Sequence, residues 1–128
     1  MRGYYFEIPV RDLERAAAFY EALFEIAMVR EEIDGNAYAH FPAVEEGAGI
    51  AGSLAHGDSY TPSRAGTRIY LSVASIDETL QRVEALGGQV LYPKTNLGAY
   101  GFVAEFSDSE GNCIALHEAA DNLRETPE

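Results

Sequence analysis

The sequence is poor in positive charge, in thiols and in long apolar runs. Nine Lys and Arg stand against 21 Asp and Glu, for a formal net charge of −12. Nucleic acid and anionic membranes reward basic side chains and repel carboxylates, so neither is expected as a partner. The single cysteine, Cys113, cannot close an intramolecular disulfide, and a cytoplasmic setting is the simplest expectation. No apolar run approaches the ~20 residues of a membrane span. The opening stretch, MRGYYFEIPVRD, does not resemble a signal peptide. What is present is ordinary globular composition, 47% hydrophobic and 23% charged over 128 residues. A chain of that length can form one domain, or two half-domains sharing a core, without disulfide or structural metal.

Two helices are legible. DLERAAAFYEALF (residues 12–24) has Asp12 as N-cap and Leu13, Ala16, Ala17, Tyr20, Leu23 and Phe24 at helical spacing. SIDETLQRVEAL (75–86) has Ser75 as N-cap with Glu78 as capping-box partner. Its stripe is Ile76, Leu80, Val83 and Leu86, and Gly87-Gly88 stop it. Strand patterns surround each helix. Residues 4–10 precede the first, and 27–33, 36–41 and 49–55 follow it, with a hairpin signal at Asp34-Gly35. Residues 67–73 precede the second helix, and 89–91, 100–106 and 112–117 follow it. The order is βαβββ, twice. This predicts module one over 1–55, a polar linker over 56–66, module two over 67–118, and a loosely held tail over 119–128.

The halves also match in sequence. Adding 63 carries Val10 onto Val73, Asp12 onto Ser75, Leu13 onto Ile76 and Glu21-Ala22-Leu23 onto Glu84-Ala85-Leu86, without gaps. Coinciding with two matching element patterns, this points to an internal duplication. Each half alone leaves a sheet face uncovered, so two halves are expected to share burial.

Three segments, FEIPVRDLERAAAFYEALF (6–24), GTRIYLSVASIDETLQRVEALGG (66–88) and FSDSEGNCIALHE (106–118), together resemble the vicinal oxygen chelate superfamily, which includes glyoxalase I, extradiol dioxygenases and bleomycin-resistance proteins. The resemblance implies an α+β fold in which two βαβββ modules form curved mixed sheets around a cleft, with helices on the outer faces. It implies homodimers. In metal-using members one divalent ion takes ligands from both modules. Those positions fall here on Tyr5, on Arg68, on Ala115, and within Ala51-Gly52-Ser53. Divalent transition metals need imidazole, carboxylate or thiolate ligands, so neither the usual metal nor any other cofactor is expected.

Strand alternation then assigns faces. Tyr4, Phe6, Ile8 and Val10 should lie under the first helix, with Tyr5, Glu7 and Pro9 opposite. Ile69, Leu71 and Val73 should lie under the second, with Arg68, Tyr70 and Ser72 opposite. On the last strand Cys113, Ala115 and His117 take the face away from the helix. The expected site therefore has Glu7 and His117 as candidate catalytic groups. Tyr5, Arg68, Tyr70, Tyr38 and Ser72 would bind substrate, with His40 joining if its strand keeps phase.

An inward-facing charge is costly unless paired or wet. Arg68 either receives an anionic or carbonyl group while Glu7 accepts or removes a proton, or the two form a structural bridge. Cys113 reads as a small packed residue. The segment PKTNLGAYG (93–101) reads as a strand connection or a flap carrying Lys94.

The leading expectation is a glyoxalase- or bleomycin-resistance-like protein that binds a small molecule without the usual metal. A metal-dependent lactoylglutathione-lyase-like or dioxygenase-like enzyme with displaced ligands, such as Glu7, His40 and His117, is one alternative. A resistance-type protein that sequesters a drug-like cation is the other.

Overall fold

The computed structural model describes residues 1–45 and 47–121. The chain divides between Pro62 and Ser63 into two compact units, inside the 56–66 segment. The first unit runs β1 (Tyr5–Pro9), α1 (Leu13–Phe24), β2 (Val29–Ile33), β3 (Asn36–His40) and β4 (Ala51–His56). Its four-stranded sheet has the order β1-β4-β3-β2. The β1–β4 pair is parallel and the other two are antiparallel, so the sheet is mixed. The second unit runs β5 (Tyr70–Ser72), α2 (Ile76–Ala85), β6 (Gln89–Asn96), a 3₁₀ turn at Gly98–Tyr100, β7 (Phe102–Ser107) and β8 (Cys113–Glu118). Its order, β5-β8-β7-β6, repeats the first with the same parallel pair at one edge. The α+β fold of two βαβββ modules is therefore present.

The capping residues set both helix starts. Asp12 accepts from the Arg15 amide and Ser75 from the Glu78 amide, each satisfying a donor that the first turn leaves open. Helix α1 buries Ala16, Ala17, Phe19, Tyr20 and Leu23, and its sheet buries Ile8, Val10, Ala39 and Leu54. Full burial of Tyr20 or Leu23 contributes about 1.5–3 kcal/mol each. Phe6 lies against Gly52, its register partner, where an added Cβ would sit 2.1 Å from the ring. Asp34 and Gly35 both have positive φ, 52° and 80°, as a two-residue type I′ hairpin requires.

Several boundaries differ from the sequence reading. Tyr4 lies before β1 and is 91% exposed rather than under α1. Strand β5 is three residues long, although the Ala115 amide still bonds the Ile69 carbonyl at 2.9 Å. Strand β6 continues to Asn96, well past Leu91. Register shifts between Val90 and Tyr92 and between Tyr92 and Thr95 accommodate Pro93, which has no amide for the ladder. The 93–101 segment is thus strand as far as Asn96 and then a 3₁₀ turn at Gly98–Tyr100. On α2, Thr79 is buried and Leu86 is 40% exposed, so the buried stripe is narrower than its apolar pattern. Of the expected tail, residues 122–128 lie outside the described residues, and Ala120 is buried.

Candidate functional site

In the first unit, register places one set of side chains on the sheet face away from α1. Glu7 pairs with Ser53, and Ser53 in turn pairs with His40, so the three form a row across β1, β4 and β3. The neighbouring row is Pro9, Ala55, Tyr38 and Glu31. The hairpin turn fixes Glu31 opposite Tyr38, one row from His40.

These groups are joined by hydrogen bonds. Tyr5 Oη donates to Glu7 Oε2 at 3.1 Å, and Tyr60 Oη donates to Glu7 Oε1 at 2.7 Å. The Tyr38 and Tyr60 hydroxyls lie 3.2 Å apart, their rings edge to face. His40 Nδ1 is 2.5 Å from Ser53 Oγ, and its Nε2 is 2.6 Å from Glu31 Oε1. Ser53 is fully buried and Tyr38 nearly so, whereas Tyr5 is 40% exposed. The His40 and Tyr38 rings are stacked, with centroids 6.1 Å apart.

Tyr5 and Tyr60 hold their protons. Burial pushes the Tyr5 pKa up, the nearby Ser53 hydroxyl pulls it partly back, and the Glu7 carboxylate raises it again. Tyr60 is pushed up first by its bond to Tyr38 and then by its bond to Glu7. A carboxylate faced by two phenolic donors is a pre-formed acceptor, because each oxygen still has a lone pair to offer.

In the second unit the corresponding face carries Tyr70, Ser72, Ala115, His117, Glu105 and Cys113. Arg68 precedes β5, and its guanidinium bonds Glu105 in a close ion pair. Arg68 and Glu7 each find their partners within their own module, where the sequence suggested that they might meet. Cys113 Sγ lies 3.7 Å from Glu105 Oε1. Burial and then the Glu105 charge push the thiol up, which disfavours the thiolate and agrees with a packed cysteine. His117 donates from Nε2 to the Tyr100 carbonyl at 2.6 Å, so that nitrogen already has a structural partner. Tyr70 is 55% exposed, and Ser72 is exposed beside His117.

The register also settles which first-module residue matches Ala115. Tyr70 pairs with Ala115 as Glu7 pairs with Ser53, and 7 plus 63 is 70, so Ser53 is the counterpart. The ligand positions implied by the resemblance thus carry a phenol, a buried hydroxyl, a guanidinium and a methyl. The phenol is held protonated and the guanidinium is ion-paired. This donor set does not fit a divalent ion. Among the described residues no group of three or more His, Cys, Asp or Glu is arranged to hold a metal.

Three of the site's members were not legible as such. Tyr60 falls in the segment read as linker, and nothing in its neighbourhood signals a return to Glu7. Glu105 carried no signal either. Glu31 could have been found, because a two-residue Asp-Gly turn fixes the hairpin register and hence its place beside His40.

Residues 4–116 match the family model for the glyoxalase/bleomycin resistance protein/dioxygenase superfamily. The chain belongs to that superfamily. Solved structures of this superfamily's fold agree. A glyoxylase/bleomycin resistance protein/dioxygenase domain from Frankia sp. EAN1pec is 20% identical, with 94% of this chain and 93% of that one covered and a TM-score of 0.71. The genomically encoded fosfomycin resistance protein FosX from Listeria monocytogenes is 22% identical, with 96% and 94% covered and a TM-score of 0.71. TnmS3, an antibiotic binding protein from Streptomyces sp. CB03234, is 24% identical, with 94% and 97% covered and a TM-score of 0.66. At these identities the likeness establishes the fold. No curated protein matches the chain. Among the described residues, no helix of this superfamily member is long and apolar enough to cross a membrane.

Proposed function

We propose that this superfamily member binds a small molecule on the polar sheet face of its first module, without a divalent ion at the family's ligand positions. Glu7 is the hydrogen-bond acceptor, and Tyr5 and Tyr38 supply aromatic surface. The observation that carries this reading is the half-buried Glu7 carboxylate, held by two phenols and still able to accept from a ligand. Arg68, Tyr70, Ser72 and His117 are proposed to bind through the corresponding face of the second module. There Arg68 would exchange its Glu105 partner for an anionic or carbonyl group.

A planar aromatic cation is the favoured ligand class, because a carboxylate set among tyrosines suits positive charge on a flat ring. The net charge of −12 adds long-range attraction. The antibiotic-binding and fosfomycin-resistance relatives support a resistance-type role of this kind.

The test is calorimetric titration and thermal shift with 9-aminoacridine and with fosfomycin, on wild type and Glu7→Gln, alongside elemental analysis of protein purified without chelator. Saturable binding that weakens about tenfold or more in Glu7→Gln supports the reading, as expected for loss of a charged hydrogen-bond acceptor. Stoichiometric retained zinc, nickel, manganese or iron overturns it. A homodimer, implied by the family resemblance, predicts a light-scattering mass of twice 14.0 kDa.

A further inference from the structure

Arg64 stands four residues before Arg68, in the segment of the second module that leads into β5. That segment is fastened to the β7–β8 turn. The Ser63 amide donates to Asn112 Oδ1 at 2.9 Å, and the Ala65 amide donates to Ser63 Oγ at 2.9 Å. Asn112 is buried and held in turn by Asp108, whose carboxylate accepts from its amide at 2.9 Å and from its side chain at 3.1 Å. The Arg64 guanidinium, by contrast, is barely used. Its Nη2 reaches Gln89 Oε1 and Ser107 Oγ, each at 3.5 Å, beyond the usual range of a hydrogen bond. Among the described residues no carboxylate is paired with it. Ser107 is only 6% exposed, and its hydroxyl donates to the Asp108 carbonyl at a similarly long 3.4 Å.

Register brings Arg68 to the same place. Arg64 reaches Ser107 and Arg68 bonds Glu105, and these two residues lie two apart on one face of β7, roughly 7 Å from each other. Cys113 pairs with Ser107, and its Sγ lies 3.7 Å from Glu105 Oε1, which puts the thiol between the two positions. Two guanidiniums therefore stand against one carboxylate and a neutral thiol. In a chain of net charge −12 this is a local excess of positive charge.

We propose that Arg64 and Arg68 together form a phosphate site, and that the second module takes a phosphate monoester with an aromatic body. This rests on the reading that Arg68 exchanges Glu105 for an anionic group of a ligand. A ligand carboxylate offers Arg68 no more than Glu105 already does. A phosphate brings about two charges and three acceptor oxygens, enough to outbid Glu105 and to serve both guanidinium forks. Ser107 Oγ gains in the phosphate the close acceptor that it lacks. Tyr70 and Tyr92 stand in one row with Ala115 and Glu105 and are 55% and 43% exposed, so their rings are available to a flat apolar body.

The test titrates full-length protein, labelled with ¹⁵N-arginine, with phenyl phosphate, inorganic phosphate and benzoate while the side-chain Nε–H resonances are followed by NMR. Phenyl phosphate should shift Arg64 and Arg68 along one saturable curve, and should bind roughly tenfold or more tighter than benzoate. Its affinity should rise between about pH 5 and about pH 7, as the phosphate loses its second proton near pH 6. Arg64→Gln should weaken it about tenfold or more, and Arg64→Lys by less. Glu105→Gln removes the competing carboxylate and should tighten it. These two variants are expected to move the affinity in opposite directions, which a general loss of structure does not do.

Benzoate binding as tightly as phenyl phosphate, wild-type affinity in Arg64→Gln, or weaker binding in Glu105→Gln overturns the phosphate site. Inorganic phosphate binding as tightly as phenyl phosphate overturns the assignment to an ester. If benzoate shifts Arg68 while Arg64 stays still under every ligand, the reading of Arg68 as an anion receiver stands and the two-arginine site alone falls. If no anion shifts Arg68, that reading falls with it.

Discussion

Tyr60 Oη donates to Glu7 Oε1 at 2.7 Å although 53 positions separate the two residues. The bond draws a segment that leaves the sheet after β4 back onto β1, and it fixes the carboxylate that the proposed site depends on. Removing the hydroxyl with Tyr60→Phe should cost about 0.5–1.5 kcal/mol, measured by urea denaturation. It should also weaken 9-aminoacridine binding, by leaving Glu7 held by Tyr5 alone. Unchanged stability and affinity would show that the bond positions nothing.

The same tyrosine predicts an alkaline limb. Its pKa is raised above the ordinary 10.0 by the bonds to Tyr38 and Glu7. Above the ordinary value and below the raised one, the unfolded chain releases the proton and the folded chain keeps it. Stability is therefore fully present below about pH 10 and declines as pH rises further. Denaturation midpoints at pH 8, 10 and 11 should fall over the upper interval, and Tyr60→Phe should flatten that fall.

An acid limb is expected from Arg30. It bonds Glu14 Oε2 at 2.9 Å and Glu21 Oε2 at 3.3 Å, tying β2 to two turns of α1. The Arg30 bond lowers the Glu14 pKa, and the Met28 amide followed by Arg30 lowers that of Glu21. Depressed carboxylates stabilise the fold above their unfolded pKa and lose that contribution as pH falls through the folded one. Arg30→Met should leave a shallower decline below pH 4.5, the ordinary carboxylate value, with only part of the Glu21 share retained through Met28.

Gly52 is required by a ring. A Cβ there would stand 2.1 Å from Phe6 Cζ. Gly52→Ala should destabilise by roughly 1–3 kcal/mol through overpacking. Adding Phe6→Leu should recover part of the loss, because a smaller side chain vacates that space. A non-additive double-mutant cycle in denaturation would confirm the contact.

Glu118 is 3% exposed and accepts from the Ile76 amide at 2.8 Å, while Lys94 Nζ stands 3.9 Å away. It therefore satisfies an amide at the first turn of α2 from a strand at the far end of the module. Glu118→Ala strands that buried donor and should cost about 1–3 kcal/mol. Glu118→Gln keeps an acceptor oxygen and should cost less. Hydrogen exchange at the Ile76 amide should accelerate in the alanine variant first.

The repeat, both helices with their caps, the Asp34-Gly35 hairpin and the face assignment of Glu7 and Tyr5 were all legible in the chain. Each is set by neighbours a few positions apart, through periodicity, a capping oxygen or a turn that needs positive φ. The length of β6 was not, because Pro93 reads as a strand breaker until the register shifts that absorb it are seen. The partners of the site's charges were not legible either. Arg68 was matched in sequence to Glu7 by face alone, while Glu105, Tyr60 and Ser53 reach these two groups through register and loop return, which no local pattern encodes.

Sequence alone thus determined that this chain makes two like modules, and which residue types stand where relatives in the superfamily hold a metal. Tertiary structure alone decided that Ser53 sits sealed against His40 and that Glu7 takes two phenolic hydrogens. The physical reason is range. Periodicity and capping act within a helical turn or a strand pair, whereas a hydrogen bond is decided within about 3 Å in space, at a separation along the chain that composition and spacing do not fix.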